Sequence, residues 1–204
     1  MNQLVKTSNS DLIGDARKIL SENWGGAIVA TLIYLAISLV IGFIPGASLI
    51  LGGPLMLGWA LWALGVNRNQ DFDYNKIFEG FNNFGNSLVT YLLMVIFIIL
   101  WTLLFIIPGI IKGLAYSQTF YILADKPDIK PMEALRQSEA MMKGNKTKYF
   151  LLMLLFFLLA LACLLTLGIG FLFLIPLIQV TTARFYQELK GGEENNEVEL
   201  IGTE

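Results

Sequence analysis

The chain has no histidine and a single cysteine, Cys163. The first absence removes the commonest general base and the commonest metal ligand together. The second excludes an intrachain disulfide and a thiolate metal cluster. Charge is scarce as well: 15% of the 204 residues are Asp, Glu, Lys or Arg, against about a quarter in soluble domains. What charge there is comes in blocks. None lies between Glu22 and Arg68, between Glu79 and Lys112, or between Lys148 and Arg184. No small-residue cleavage site follows a short apolar region, so a removable signal peptide is not expected.

What fills those gaps is apolar. The composition is 55% hydrophobic and the mean hydropathy is +0.64. A helix crossing the hydrocarbon core needs about 20 apolar residues. The first and third gaps hold two such spans each. The second holds one, and the stretch after Lys112 supplies another. The expected spans are 26–43, 47–66, 87–107, 109–124, 149–167 and 170–189. The fold class is therefore all-α, a polytopic membrane bundle of six helices.

The spans pair into hairpins. Pro lacks a backbone donor and Gly accepts turn dihedrals, so Pro45-Gly46 and Pro108-Gly109 are read as tight turns, and Leu167-Gly168 as a third. The three recur at intervals of about sixty residues, which suggests duplicated units. The units are 8–66, 71–125 and 128–190, in one membrane domain spanning 1–190. Residues 191–204 form an acidic tail without periodicity, read as disordered. Each unit opens with an amphipathic segment. Leu12, Ile13, Ala16, Ile19 and Leu20 mark the first, with Ile77, Phe81, Phe84 and Leu88 in the second and Met132, Leu135 and Met142 in the third. Within the third, Glu139 is placed to pair with Lys143 at i, i+4. Two spans per unit imply parallel repeats around an axis along the membrane normal. By the positive-inside rule the lysines and arginines, all but Lys112, mark the cytoplasmic side. Both termini are expected there.

Several residues are candidates for function. Lys112 sits just past the Pro108-Gly109 break. Near a helix end a lysine snorkels to the interface; the alternative is an anion or headgroup contact aided by free N–H groups. Lys143, Lys146 and Lys148 stand at the edge of the fifth span, where basic residues attract anionic lipid. Tyr116, Gln118 and Thr119, with Gln179 in the sixth span, form an intramembrane polar cluster, read as interhelical hydrogen bonding or as a solute path. Asp125 ends the fourth helix, where an acid opposes the dipole, and a lysine partner is expected. Gly42 and Gly46, like Gly109 and Gly113, have GxxxG spacing. No phosphate loop, metal constellation or nucleophile–base pair is present, so no cofactor is expected, and no nucleic-acid partner.

The blocks "LLFIIPGIIKGLAYSQTFYILAD", "EALRQSEAMMKGNKTKYF" and "GIGFLFLIPLIQVTTARFY" resemble a family of bacterial integral membrane proteins of unknown function. That family is similar to the membrane domain that accompanies some glycerophosphodiester phosphodiesterases. The resemblance implies a multispan bundle in a bacterial cytoplasmic membrane and no activity. The expected role is non-enzymatic: organising lipid or a membrane partner. A small transporter or channel is the alternative, and a membrane-embedded enzyme a third reading.

This topology is checked by thiol labelling. Cysteines placed near Ala47 and Ile169 should react with an impermeant reagent from outside intact cells, and cysteines near Gln70 or Asn145 should not. External labelling near Gln70 would overturn the six-span reading.

Overall fold

The computed structural model describes the backbone of residues 4–44, 46–69, 71–166 and 168–201. Every regular element among them is helical. In chain order these are α1 (Asn9–Ser21), α2 (Trp24–Phe43), α3 (Ala47–Asn69), α4 (Lys76–Glu79), a 3₁₀ turn (Gly80–Asn83), α5 (Phe84–Leu104), α6 (Ile106–Ala115), α7 (Thr119–Asp125), α8 (Pro131–Met141), α9 (Lys146–Leu164) and α10 (Phe171–Ile201). Four stretches are long and apolar enough to cross a membrane: Trp24–Phe43, Ala47–Arg68, Lys76–Leu104 and Lys146–Leu164. They carry the expected first, second, third and fifth spans.

The centre of the bundle is α3. Its apolar window is 67% buried, whereas those of α2, the α4–α5 stretch and α9 are 22%, 11% and 17% buried. Small residues let the backbones meet. A Cβ added to Gly58 would lie 1.8 Å from the Ile77 carbonyl oxygen, one on Gly53 2.3 Å from that of Ser87, and one on Gly80 2.1 Å from that of Pro54. Among apolar surroundings, helix association depends on such close packing more than on hydrophobic drive. Above this seam Tyr34, Trp59 and Trp62 stack in series, with ring centroids 4.6 and 4.8 Å apart.

Four expectations need correction. The second bend falls at Phe105, whose φ of −159° and ψ of 144° separate α5 from α6, and Pro108-Gly109 lies inside the first turn of α6. Proline is tolerated there because a first-turn N–H has no helical partner anyway. Gly109 still matters, since a Cβ would meet Thr102 Oγ1 at 2.1 Å. The fourth span, 109–124, is not one helix but α6 and α7, broken at 116–118. The second amphipathic segment is a short turn and a 3₁₀ turn; Ile77 is buried, but Phe84 is exposed at the start of α5. The expected end at residue 190 is not where the last helix stops: α10 runs to Ile201. Its glutamates are adequate helix formers, and no side chain past residue 191 is described.

Gly46 and Gly168 have φ of +80° and +88°, as turn glycines should; Pro45 and Leu167 lie outside the described residues. The bends do not gather on one face, however. Trp24, at the start of α2, meets Phe173 edge-on at 5.4 Å, and Trp24, Thr166 and Gly170 line one groove. The 166–170 bend thus sits beside one end of α2. The 44–46 bend lies at the other end, 20 residues away or about 30 Å at the helical rise. Parallel repeats would place these bends together.

The amphipathic faces turn inward. Leu12, Ala16 and Leu20 of α1 are fully buried, and α1 lies along α10, where Arg184 reaches Asp15 at 3.3 Å. In α8, Leu135 and Ser138 are buried against α5 and α6, while Met132 is exposed.

Replacing Gly58 by Ala should therefore destabilise the bundle by about 1–3 kcal/mol, the usual range for overpacking. Gly14→Ala, where a Cβ meets nothing within 4 Å, should be neutral or slightly stabilising. Melting of the two variants in detergent distinguishes them; equal melting would remove the role given to the α3 seam.

Candidate functional site

The break in the fourth segment is a hydrogen-bond problem solved by side chains. Ser and Thr hydroxyls compete for backbone carbonyls and so favour helix ends. Ser117 Oγ donates to the Leu114 carbonyl at 2.9 Å, and Thr119 Oγ1 to that of Tyr116 at 2.7 Å. Two groups remain, one at each side of the gap, and Ser138 of α8 meets both. Its hydroxyl donates to the Ala115 carbonyl at 2.7 Å and accepts from the Gln118 N–H at 3.2 Å. In an apolar layer an unmet backbone group costs several kcal/mol, so α8 completes what the chain leaves open.

On one side of the break lies Lys112. Its ammonium donates to Glu139 Oε1 at 2.6 Å and stands 5.3 Å from the Trp101 ring centroid and 5.6 Å from that of Tyr116. A half-exposed carboxylate of α8 and two aromatic faces take the charge. The sequence offered Glu139 to Lys143; the folding of α8 against α5 brings it to Lys112.

On the other side is a cavity of about 260 Å³ walled by Tyr34, Ser117, Tyr121, Tyr149, Gln179 and Thr182 among others. Tyr121 donates its hydroxyl proton to Gln179 Oε1 at 2.9 Å. Gln118, expected to share a cluster with Gln179, faces elsewhere. It is fully buried, its amide donates to Ser117 Oγ at 2.9 Å, and its carbonyl oxygen has no partner among the described residues. Thr119 is spent on the Tyr116 carbonyl within the break. The expected polar cluster is thus two arrangements, one inside the break and one across the cavity.

At the foot of α7 stands Asp125, its side chain only 6% exposed. It accepts from Arg68 at 2.8 Å, from Lys190 at 3.0 Å and from the Tyr186 hydroxyl at 3.0 Å. Burial alone would raise its pKa; the hydrogen bonds from Lys190, Arg68 and Tyr186, with the Arg68 charge, outweigh this and hold it below the ordinary aspartate value. That a lysine would answer the adverse dipole was legible; that it is Lys190, joined by Arg68 and Tyr186, was not, because all three come from α3 and α10.

The basic group at α9 divides. Lys148 is committed to the N-terminal segment: its ammonium donates to the Val5 carbonyl at 2.6 Å and also to that of Thr7. Beside it Asn145 Oδ1 accepts from the Val5 N–H at 2.8 Å. Lys143 is exposed and Lys146 half-buried. Of the glycine pairs, a Cβ on Gly42, Gly46 or Gly113 would meet nothing within 4 Å, so only Gly109 marks a close approach.

Residues 103–193 match the model of a family described as a protein of unknown function, DUF975. The match begins near the end of α5, takes in the break, α8 and α9, and ends within α10, a little under half of the chain. No curated protein and no solved structure matches the chain.

Two outcomes follow for the paired charges. Lys112→Met should lower stability by leaving Glu139 without its cation, and adding Glu139→Leu should restore much of the loss, because the pair is coupled. Additive losses in the double variant would show that the two do not interact. For Asp125 the lowered folded-state pKa means its contribution is present above the unfolded value of about 3.9 and lost as pH falls through the folded value. Asp125→Asn should therefore cost about 1–3 kcal/mol near neutrality and flatten the fall in melting temperature between about pH 5 and pH 3. An unchanged acid profile would show that other carboxylates govern it.

Proposed function

We propose that this protein is a non-enzymatic integral membrane protein that organises lipid or a membrane partner. One observation carries the reading: charges that bridge helices are spent on each other while the apolar surface is left outward. Lys112 is held by Glu139, and Asp125 by Arg68 and Lys190, whereas Leu39, Val40, Ile99, Phe157 and Leu158 are all more than half exposed. Intramembrane charges free to act are the usual mark of transport paths or proton relays. These are ion pairs made between helices, and the outward face suits acyl chains or another membrane helix.

The bacterial cytoplasmic membrane is the proposed location, with lipids as partners and another membrane protein as a further one. Six spans, an even number, keep both termini on one side, and the lysine and arginine distribution makes that side cytoplasmic. The likeness to a phosphodiesterase-associated membrane domain rests on the sequence blocks and brings no activity with it.

A small transporter or channel is the second reading. The cavity at Gln179, beside a discontinuous helix, is what favours it, since broken helices line substrate sites in many transporters.

Purification in mild detergent, with mass spectrometry of what stays bound, tests the first reading. A lipid class or protein retained at fixed stoichiometry is the expected result; a lipid profile equal to that of the bulk membrane, with no protein retained, would overturn it. Solute uptake into proteoliposomes that is lost with Gln179→Leu would establish the second reading instead.

A further inference from the structure

A second cavity lies away from the broken helix. It is a groove of about 660 Å³ between α1, the start of α2 and the α9–α10 bend. Leu159, Ala162, Phe173, Leu174 and Leu177 make its walls apolar, Trp24 stands at it, and Arg17 is the one charged residue lining it. Its volume lies in the range of sites for single small ligands.

Arg17 differs from the ion-paired cations of the bundle. Arg68, Lys76, Lys112, Arg184 and Lys190 each meet a carboxylate within 3.3 Å. Among the described residues no carboxylate lies within ion-pair distance of Arg17, and its side chain borders an apolar groove. A guanidinium is weakly hydrated and matches phosphate oxygens in two-point geometry. The surroundings indicate what fills the rest. Leu164, Leu165 and Ile169 at the tip of the bend are 60%, 87% and 64% exposed, so the groove is continuous with a surface suited to hydrocarbon. Trp24 supplies the amphipathic ring typical of a membrane boundary.

We propose that this groove holds one anionic phospholipid, its phosphate at Arg17 and an acyl chain along α9 and α10. The site rests on the lipid-organising reading and gives it a place and a headgroup charge. A zwitterionic lipid fits less well, because its own cation offsets the attraction of Arg17. The basic residues at the start of α9 do not supply the selectivity: Lys148 is held by the N-terminal segment, and Lys143 and Lys146 are not among the walls.

Cys163 is the sole thiol, is half-buried and forms part of the wall, so its alkylation reports occupancy. The full chain, in micelles of an uncharged detergent, is treated with a permeant maleimide. Phosphatidylglycerol or phosphatidylcholine of matched chains is added. Phosphatidylglycerol should slow labelling about fivefold more than phosphatidylcholine, the worth of one basic residue at a lipid surface. Arg17→Gln should equalise the two lipids, and Lys143→Gln should leave the preference intact. Ala162→Trp, at an exposed wall position, should abolish protection by both. Equal protection in the unaltered chain overturns the proposal, as does a preference that survives Arg17→Gln or is lost equally with Lys143→Gln. Protection by inorganic phosphate alone, or by raising protein concentration without lipid, assigns the groove to a free anion or a second copy and also overturns it. If lipid copurifies at fixed stoichiometry while Cys163 labels at one rate throughout, lipid organisation stands and this site falls.

Discussion

Everything else in the bundle hangs on the backbone contact between α3 and residues 77–87. Gly53, Gly58 and Gly80 permit it, each with a carbonyl oxygen where a methyl group would otherwise be. Once α3 is pressed into that seam, its remaining faces are presented to α7 and α10. Asn67 then reaches the Val180 carbonyl at 2.8 Å, and Arg68 reaches Asp125. A wider seam would draw α3 away from both. The energetics are those of a membrane interior, where dispersion and close approach replace the hydrophobic effect as the force between helices.

A second constraint is the need to satisfy polar groups where water is scarce. The break at 116–118 exposes backbone in the middle of an apolar segment, yet its two ends share one hydroxyl. The start of α5 is handled similarly: Asn86 donates to the carbonyls of Pro127 and Ile129 at 2.9 and 2.7 Å. These contacts fix where α8 begins, and where α8 begins decides that Ser138 faces the gap and Glu139 faces Lys112. A loop of ordinary composition thereby sets the register of the polar interior.

The long elements were legible in the sequence because charge-free runs of about twenty residues have one reading in lipid. Helices α2, α3, α5 and α9 appear within a few residues of their expected bounds. The break was written in Tyr116-Ser117-Gln118-Thr119, four consecutive residues with hydrogen-bonding side chains, but hydropathy averages over such a stretch. The α3 seam was harder to see. Gly53 and Gly58 stand five apart and their partner Gly80 belongs to another element, so no single-helix motif contains them; the GxxxG pairs at 42–46 and 109–113 drew attention instead. Lys112–Glu139 and the Asp125 cluster join residues 27 to 65 positions apart. Such pairings follow from tertiary placement, which local pattern does not encode. The Arg17 groove is of the same kind, since its walls come from α1, α2, α9 and α10.

The N-terminal clip has a consequence for how the chain is made. Val5 is held by Asn145, 140 positions later, and by Lys148. At ordinary synthesis rates the later residues emerge roughly seven to thirty seconds after the earlier ones. Through that interval residues 5–9 lack the partners that hold them in the finished fold, and α1, which follows directly, still waits for α10. Residues 5–9 are thus synthesised well before the residues at the start of α9 that secure them.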